Sequence, residues 1–162
     1  MIQKTLVLVK PDGIKRGLIG EIIKRFEQRG LKIVAMKLIK IDKSLAEKHY
    51  TESITAKHGE KVRNSLIDYV TESPVLAMII EGSSAISIVR KIVGATFPGD
   101  AEIGTIRGDF THISKARARE LNRDYNLVHA SENEEDAKKE IGLWFSSGEI
   151  YDYKLSGEEF LI

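Results

Sequence analysis

Residues 6–9, Leu-Val-Leu-Val, form an unbroken apolar run closed by Pro11 and Gly13. β-Branched content between such flanks predicts a buried strand with Lys10 at its C-terminal end. Apolar residues then recur at Ile19, Ile22, Ile23 and Phe26, with Lys24, Arg25, Glu27 and Arg29 opposite, and Gly30 follows. That is the period of an amphipathic helix and its stop. Residues 31–41, rich in branched apolar side chains, predict a second strand, and Ser44 with Glu47 stands at capping-box spacing for a short helix carrying His49 and Tyr50. Helical spacing returns at Val62, Leu66, Ile67 and Val70, and after Pro74 the run 75–80 predicts another central strand. Ser83 or Ser84 can cap the next helix, whose apolar face is Ile86, Val89 and Val93, whose end is Gly94, and which carries Arg90 near its C-terminus.

Periodicity fails over residues 95–110, which hold Pro98 and glycines at 99, 104 and 108. An ordered loop of that length in a small domain usually does chemistry. Residues 125–129 predict a last short strand, and Ser131 with Glu134 a capping box for a final helix that buries Ala137, Ile141, Trp144 and Phe145. The element order predicts an α+β fold: a ferredoxin-like split βαβ antiparallel sheet with helices over one face. With no repeat or linker in sight, residues 1–162 are expected to form a single domain.

Charge narrows the partners. Lys and Arg number 25 against 24 Asp and Glu, so no global field recruits nucleic acid or an anionic membrane, and any phosphate affinity must come from local clustering. The chain has no cysteine, which excludes disulfides and thiolate chemistry. The first apolar run is too short for a signal sequence or a membrane span, and a cytoplasmic protein is expected. There is no G-x-x-x-x-G-K-S/T phosphate loop, and His49, His58, His112 and His129 show no metal-ligand spacing.

His129 closes a predicted strand two residues before a helix, where side chains project into clefts. On that helix Glu140 stands about 40° from Trp144 and about 60° from Ala137, at the edge of the buried face. From there it can reach back toward the strand end. A carboxylate holding one imidazole nitrogen leaves the other free as a nucleophile and stabilises charge on the ring. Position alone leaves open that Glu140 is a solvated helix residue.

Val9-Lys10-Pro11-Asp12-Gly13, Gly104-Thr105-Ile106-Arg107-Gly108-Asp109-Phe110 and Asn126-Leu127-Val128-His129-Ala130-Ser131 occur in that order. With these motifs the chain resembles the nucleoside diphosphate kinase family. The resemblance implies a Mg²⁺-dependent, ping-pong transfer through a phosphohistidine, with nucleoside triphosphates and diphosphates (ATP/ADP, GTP/GDP and others) as partners and a homohexamer or homotetramer as the assembly. It makes His129 the nucleophile, and Glu140 with Ser131 its orienting groups. Lys10, Tyr50, Arg90, Thr96 and Arg107 match positions that hold the phosphates, and Asn126, with Lys10, the position that contacts the sugar hydroxyls. Val62 and Leu66 fall in the segment that covers the base. Mg²⁺ would be held by substrate phosphates, with no metal ligand from protein side chains.

The chain departs from the family pattern at Val62, where Phe is usual, and in residues 111–125, a longer connection carrying Lys115, Arg117, Arg119 and Arg123. The alternative from another class is a non-catalytic nucleotide- or RNA-binding regulatory protein on the same fold. Such an RNA reader would place aromatics on its strands, whereas these carry Leu, Val, Ile and Met.

Overall fold

A computed structural model describes residues 1–161. In chain order the elements are β1 (Ile2–Val9), α1 (Pro11–Lys15), α2 (Ile19–Glu27), β2 (Lys32–Ile39), α3 (Lys43–His49), α4 (Glu52–His58), α5 (Glu60–Thr71) and β3 (Val75–Ser83). They continue with α6 (Ala85–Val93), α7 (Ile106–Phe110), α8 (Lys115–Leu121), β4 (Val128–Ala130) and α9 (Glu134–Trp144). The sheet order is β2-β3-β1-β4, with β1 antiparallel to both β3 and β4, as a ferredoxin-like sheet requires.

Helices cover both faces of this sheet rather than one. Val7, Val9, Met78 and Ile80 pack with Ile22 and Phe26 of α2 and Val89 of α6, while Leu6, Leu8, Ala77 and Ile79 pack with Ala46 of α3, Ile67 of α5 and Trp144 of α9. The reason lies in the strand sequences. β1 and β3 are buried residue after residue instead of alternately, and a strand apolar on both sides must be covered on both.

Several ends differ from the sequence expectation. Asp42, not Ser44, caps α3 by accepting the Leu45 N–H at 2.8 Å. Asn133, not Ser131, caps α9 by accepting the Asp136 N–H at 2.9 Å. In both cases the capping residue has the extended backbone that a cap needs. Ser84 precedes α6 as expected, but with φ +51° and no capping hydrogen bond from its side chain. The last strand is only Val128–Ala130, because residues 124–128 turn tightly.

The aperiodic stretch 95–110 tightens into a 3₁₀ turn at Pro98–Asp100 and then into α7, which Thr105 caps through the Gly108 N–H at 3.0 Å. Gly108 is obligatory there, since a Cβ would stand 2.0 Å from the Glu102 carbonyl oxygen. Arg25 of α2 ties this stretch down, donating to the Gly104 carbonyl at 3.0 Å and pairing with Asp109. Residues 111–125 are not bare surface loop, for Lys115–Leu121 within them form α8. No helix among the described residues is long and apolar enough to cross a membrane.

Candidate active site

β4 lies beside β1 with His129 opposite Leu8. Directly opposed residues share a face of the sheet, so the register turns His129 toward α3 and α9. Its Nε2 lies 3.0 and 3.1 Å from the two carboxylate oxygens of Glu140. Ser131, buried at the strand end, donates its hydroxyl to Glu140 Oε2 at 2.6 Å and accepts the Leu6 N–H at 3.2 Å. Burial works to raise the Glu140 carboxyl, but the hydrogen bond and charge of His129, aided by His49 and Ser131, hold it below the ordinary range. An ionised carboxylate only accepts, so the proton sits on His129 Nε2. Nδ1 keeps its lone pair and makes no hydrogen bond to the described residues.

His49 adds a second imidazole, with ring centroids 4.6 Å apart and planes at 82°. Trp144 Nε1 donates to His49 Nδ1 at 3.2 Å. Burial, then the charges of His129 and Lys10, push His49 down to about 3 against the opposing pull of Glu140, which keeps it neutral. His49, His129 and Glu140 offer donor atoms within 4.8 Å of one another. The facing atoms are already engaged, Glu140 with His129 Nε2 and Trp144 Nε1 with His49 Nδ1, so the two imidazoles are held in place by their neighbours. His49 Nε2 and the Tyr50 hydroxyl are buried without a partner. Buried donors without a partner call for one, such as an ordered water or a ligand. Burial, then Glu140 and Asp124, raise the Tyr50 phenol, which stays protonated and able to donate.

The cations converge from three elements. Lys10, at the end of β1, is 5 % exposed and donates Nζ to Asn126 Oδ1 at 2.8 Å. Asn126 in turn donates Nδ2 to the Thr96 carbonyl at 2.9 Å. Arg107 of α7 spends its guanidinium on backbone: Nε to the Asn126 carbonyl at 3.0 Å, Nη1 to Gly94 and Ala95 at 2.9 and 3.1 Å, Nη2 to Val128 at 2.6 Å. Burial, then Arg107, lowers Lys10 to about 8 against Asp124 and Asp12. Burial, then Arg90, lowers Arg107 to about 10 against the same two carboxylates. Burial and mutual repulsion outweigh the two carboxylates, and the potential these cations leave suits a polyanion. Arg90, exposed on α6, contributes to that field.

The sequence-predicted residues Lys10, Thr96, Arg107 and Asn126 are thus joined in one hydrogen-bond network, and His129, Ser131 and Glu140 in another. Tyr50 lies beside the second, its ring 4.7 Å from that of His49. Val62 and Leu66 sit half-buried on α5 in neither network, with Leu66 packed against the core under β1. Sequence reasoning missed His49, which only its place next to Tyr50 could have signalled, and the pair Asp12 and Tyr69, of which Asp12 lay within a quoted motif.

The pairing of His129 with Glu140 beside a network of buried cations, on a ferredoxin-like sheet, suits a polyanionic ligand such as a phosphate ester. The sequence profile described as nucleoside diphosphate kinase matches residues 3–150. The nucleoside diphosphate kinase of Borreliella burgdorferi is 49 % identical over 160 residues, which are 98 % of this chain and 96 % of that one. That of Pyrococcus abyssi is 52 % identical over 160 residues, 98 % of this chain and 93 % of that one. Among solved structures, the transition-state mimic of the Borrelia burgdorferi enzyme with bound vanadate and ADP superposes with a TM-score of 0.96 at 49 % identity, covering 99 % of this chain and 96 % of that one. The Halobacterium salinarum enzyme in complex with CDP gives 0.85 at 39 % identity over 99 % and 98 %. The chain belongs to the nucleoside diphosphate kinase family.

Proposed function

We propose that this member of the family carries the terminal phosphate of a nucleoside triphosphate to a nucleoside diphosphate on His129, in two successive transfers through one site. The observation behind this reading is the pairing of His129 Nε2 with Glu140, which leaves Nδ1 as the attacking atom. Its lone pair bonds to the γ-phosphorus while the bond from phosphorus to the β,γ-bridging oxygen breaks, and the diphosphate leaves. Glu140 offsets the positive charge that the phosphorylated ring acquires. The reverse step onto a second diphosphate restores the free ring.

Lys10, Arg90, Arg107, the Tyr50 hydroxyl and Thr96 hold the phosphates in this scheme, and phosphoryl transfer gains chiefly from such positioning and charge stabilisation. Asn126 takes the sugar, and Val62 with Leu66 covers the base. Mg²⁺, where bound, would be held by the nucleotide's phosphates and would offset their charge during transfer. Two of the carboxylates at the site are committed elsewhere, Glu140 to His129 and Ser131 and Asp12 to Tyr69 and Leu127, while Asp124 acts on Lys10, Arg107 and Tyr50 by its charge. The vanadate and ADP of the Borrelia burgdorferi enzyme and the CDP of the Halobacterium salinarum enzyme support nucleotides as substrates. A single cytoplasmic domain assembled as a homohexamer or homotetramer belongs to the same proposal, and light scattering measures the assembly.

The deciding experiment mixes the protein with γ-labelled ATP and Mg²⁺, removes nucleotide and adds GDP. An acid-labile phosphoenzyme that GDP discharges is expected, and His129→Gln should abolish it while nucleotide still binds. Wild-type labelling of that variant would sink the assignment.

A further inference from the structure

Leu127 is held where leucine rarely goes. Its φ is +67°, and the Val128 N–H closes on the Asn126 carbonyl across it at 2.7 Å. An i to i+2 bond over a positive φ is the γ-turn form that is strained for any residue with a side chain, and such strain persists only where neighbours impose it. Leu127 is wholly buried, so the strain is not a surface accident.

The connection between β1 and α1 imposes it. Asp12 Oδ2 accepts the Leu127 N–H at 3.1 Å, and the Lys10 N–H donates to the Leu127 carbonyl at 2.8 Å, so both polar backbone groups of Leu127 are gripped from one place. Asp12 is itself clamped from α5. The Tyr69 hydroxyl donates to Asp12 Oδ1 at 2.5 Å and accepts the Asp12 N–H at 3.0 Å. Burial, then Asp12, raises the Tyr69 phenol, so the proton in this clamp stays on tyrosine. Leu127 separates Asn126, which faces Lys10 and Thr96, from Val128 and His129.

We propose that Asp12 is a positioning residue for sugar recognition, its carboxylate holding Leu127 in the γ-turn and thereby aiming Asn126 at the nucleotide's sugar hydroxyls. The inference rests on the reading of Asn126 given above. If the grip fails, the peptide on the Asn126 side of Leu127 keeps, from outside the turn, only the Arg107 Nε bond to its carbonyl, the turn relaxes, and Asn126 loses its aim. His129 suffers less, because its pairing with Leu8 on β1 fixes it independently. Asp12 therefore governs discrimination among sugars more than phosphoryl transfer.

The test compares kcat/KM for GDP and for 2′,3′-dideoxy-GDP, which lacks both sugar hydroxyls. Asp12→Ala and Asn126→Ala are each expected to shrink the preference for GDP by roughly tenfold, the scale of one lost hydrogen bond to an oriented group. Efficiency toward the dideoxy substrate should move much less. Asp12→Asn, which still offers Leu127 an acceptor, is expected to keep the preference. Should Asp12→Ala fail to fold, Tyr69→Phe is read in its place, and a smaller loss of preference is expected once the hydroxyl clamp is gone. Equal losses on both substrates, or an unchanged preference in Asp12→Ala or in its stand-in, would overturn the proposal. Two controls keep the underlying reading separate: a wild-type preference near unity sinks the sugar role of Asn126, and absent phosphoenzyme sinks the kinase mechanism.

Discussion

Lys10 and Asn126, 116 residues apart in the chain, meet at 2.8 Å where β1 and the turn before β4 come together. The contact places an ammonium group that burial and Arg107 have brought down to about 8 among the residues proposed to hold the phosphates. Two opposite pH trends follow. Only charged Lys10 serves a phosphate, so kcat/KM, which reports the free enzyme, is expected to fall above about pH 8. Stability moves the other way. The folded value lies below the 10.5 of the unfolded chain, so the unfolded state binds more protons between them and Lys10 makes the fold more stable as pH rises across that window. Activity profiles and urea midpoints from pH 7 to 10.5 measure both. An activity profile flat through pH 9 would remove Lys10 from the phosphate site.

Glu140→Gln keeps a hydrogen bond to His129 Nε2 but removes the charge opposite the phosphorylated ring. The turnover number is expected to drop on the order of 100-fold, the usual loss for one electrostatic contact to a developing charge, with KM nearly unchanged. Because the folded Glu140 carboxyl titrates below the 4.5 of an ordinary one, the wild type also draws stability from it that is complete above that value and lost as pH falls through the lower folded value. Glu140→Gln should flatten that acid limb. An unchanged turnover number would return Glu140 to the rank of a solvated helix residue.

The helix angle that set Glu140 beside Trp144 and Ala137 foretold its reach to His129, because a helix face is periodic and local. The strands were legible for a similar reason, β1 and β3 each containing an unbroken apolar run, residues 6–9 and 75–80. Coverage of both sheet faces was implicit in that same pattern and went unread. What sequence could not show was contact between remote segments: Tyr69 on Asp12, Trp144 on His49, Arg107 on four carbonyls. The caps were misplaced for a smaller reason. Ser131 fits the capping pattern, yet the sheet uses its hydroxyl to hold Glu140, and Asn133 caps α9 instead.

Arg107 has five N–H donors and gives four bonds to the carbonyls of Gly94, Ala95, Asn126 and Val128, so one is left for a phosphate. Arg107→Lys keeps the charge but cannot span those acceptors. A loss of about 3 kcal/mol is expected from stranded buried carbonyls, or roughly 6–12 °C in Tm for a chain of this size, together with a raised KM. Calorimetry and steady-state kinetics read the two effects. A raised KM at wild-type Tm would make Arg107 a phosphate ligand and nothing more.

The connection 111–125 docks on α5 rather than floating over the surface. Ser65 donates its hydroxyl to the Asn122 carbonyl, Arg123 Nη1 donates to Ser65 Oγ at 3.2 Å, and Lys115 lies over the Phe97 ring. Replacing residues 114–123 by a short Gly-Ser link should loosen α5 and raise the KM for nucleotides several-fold while phosphoenzyme still forms. A KM equal to that of the wild type, with oligomer mass unchanged by light scattering, would show the segment to be tolerated surface.

Val62, half-buried on α5, stands where the family pattern usually has Phe. A valine can cover a base by dispersion and burial but has no π face, and an aromatic pair contributes roughly 0.5–1.5 kcal/mol beyond the area it buries. That difference amounts to about two- to twelve-fold in affinity. Stacking on purines and on pyrimidines is forgone alike, so substrate choice should stay broad while every nucleotide binds more weakly than an aromatic wall would allow. Val62→Phe is therefore expected to lower KM for GDP, CDP and dTDP together. The turnover number should hardly move, because a contact to the base is felt about equally in ground and transition states. The structure keeps α5 in register for this exchange through Tyr69, whose hydroxyl is fixed on Asp12, and through Leu66, packed one turn further along on the core. Steady-state kinetics on the three diphosphates suffices. If every KM is unchanged or raised, Val62 does not face the base, and Phe97, beneath Lys115, becomes the residue to test for that wall.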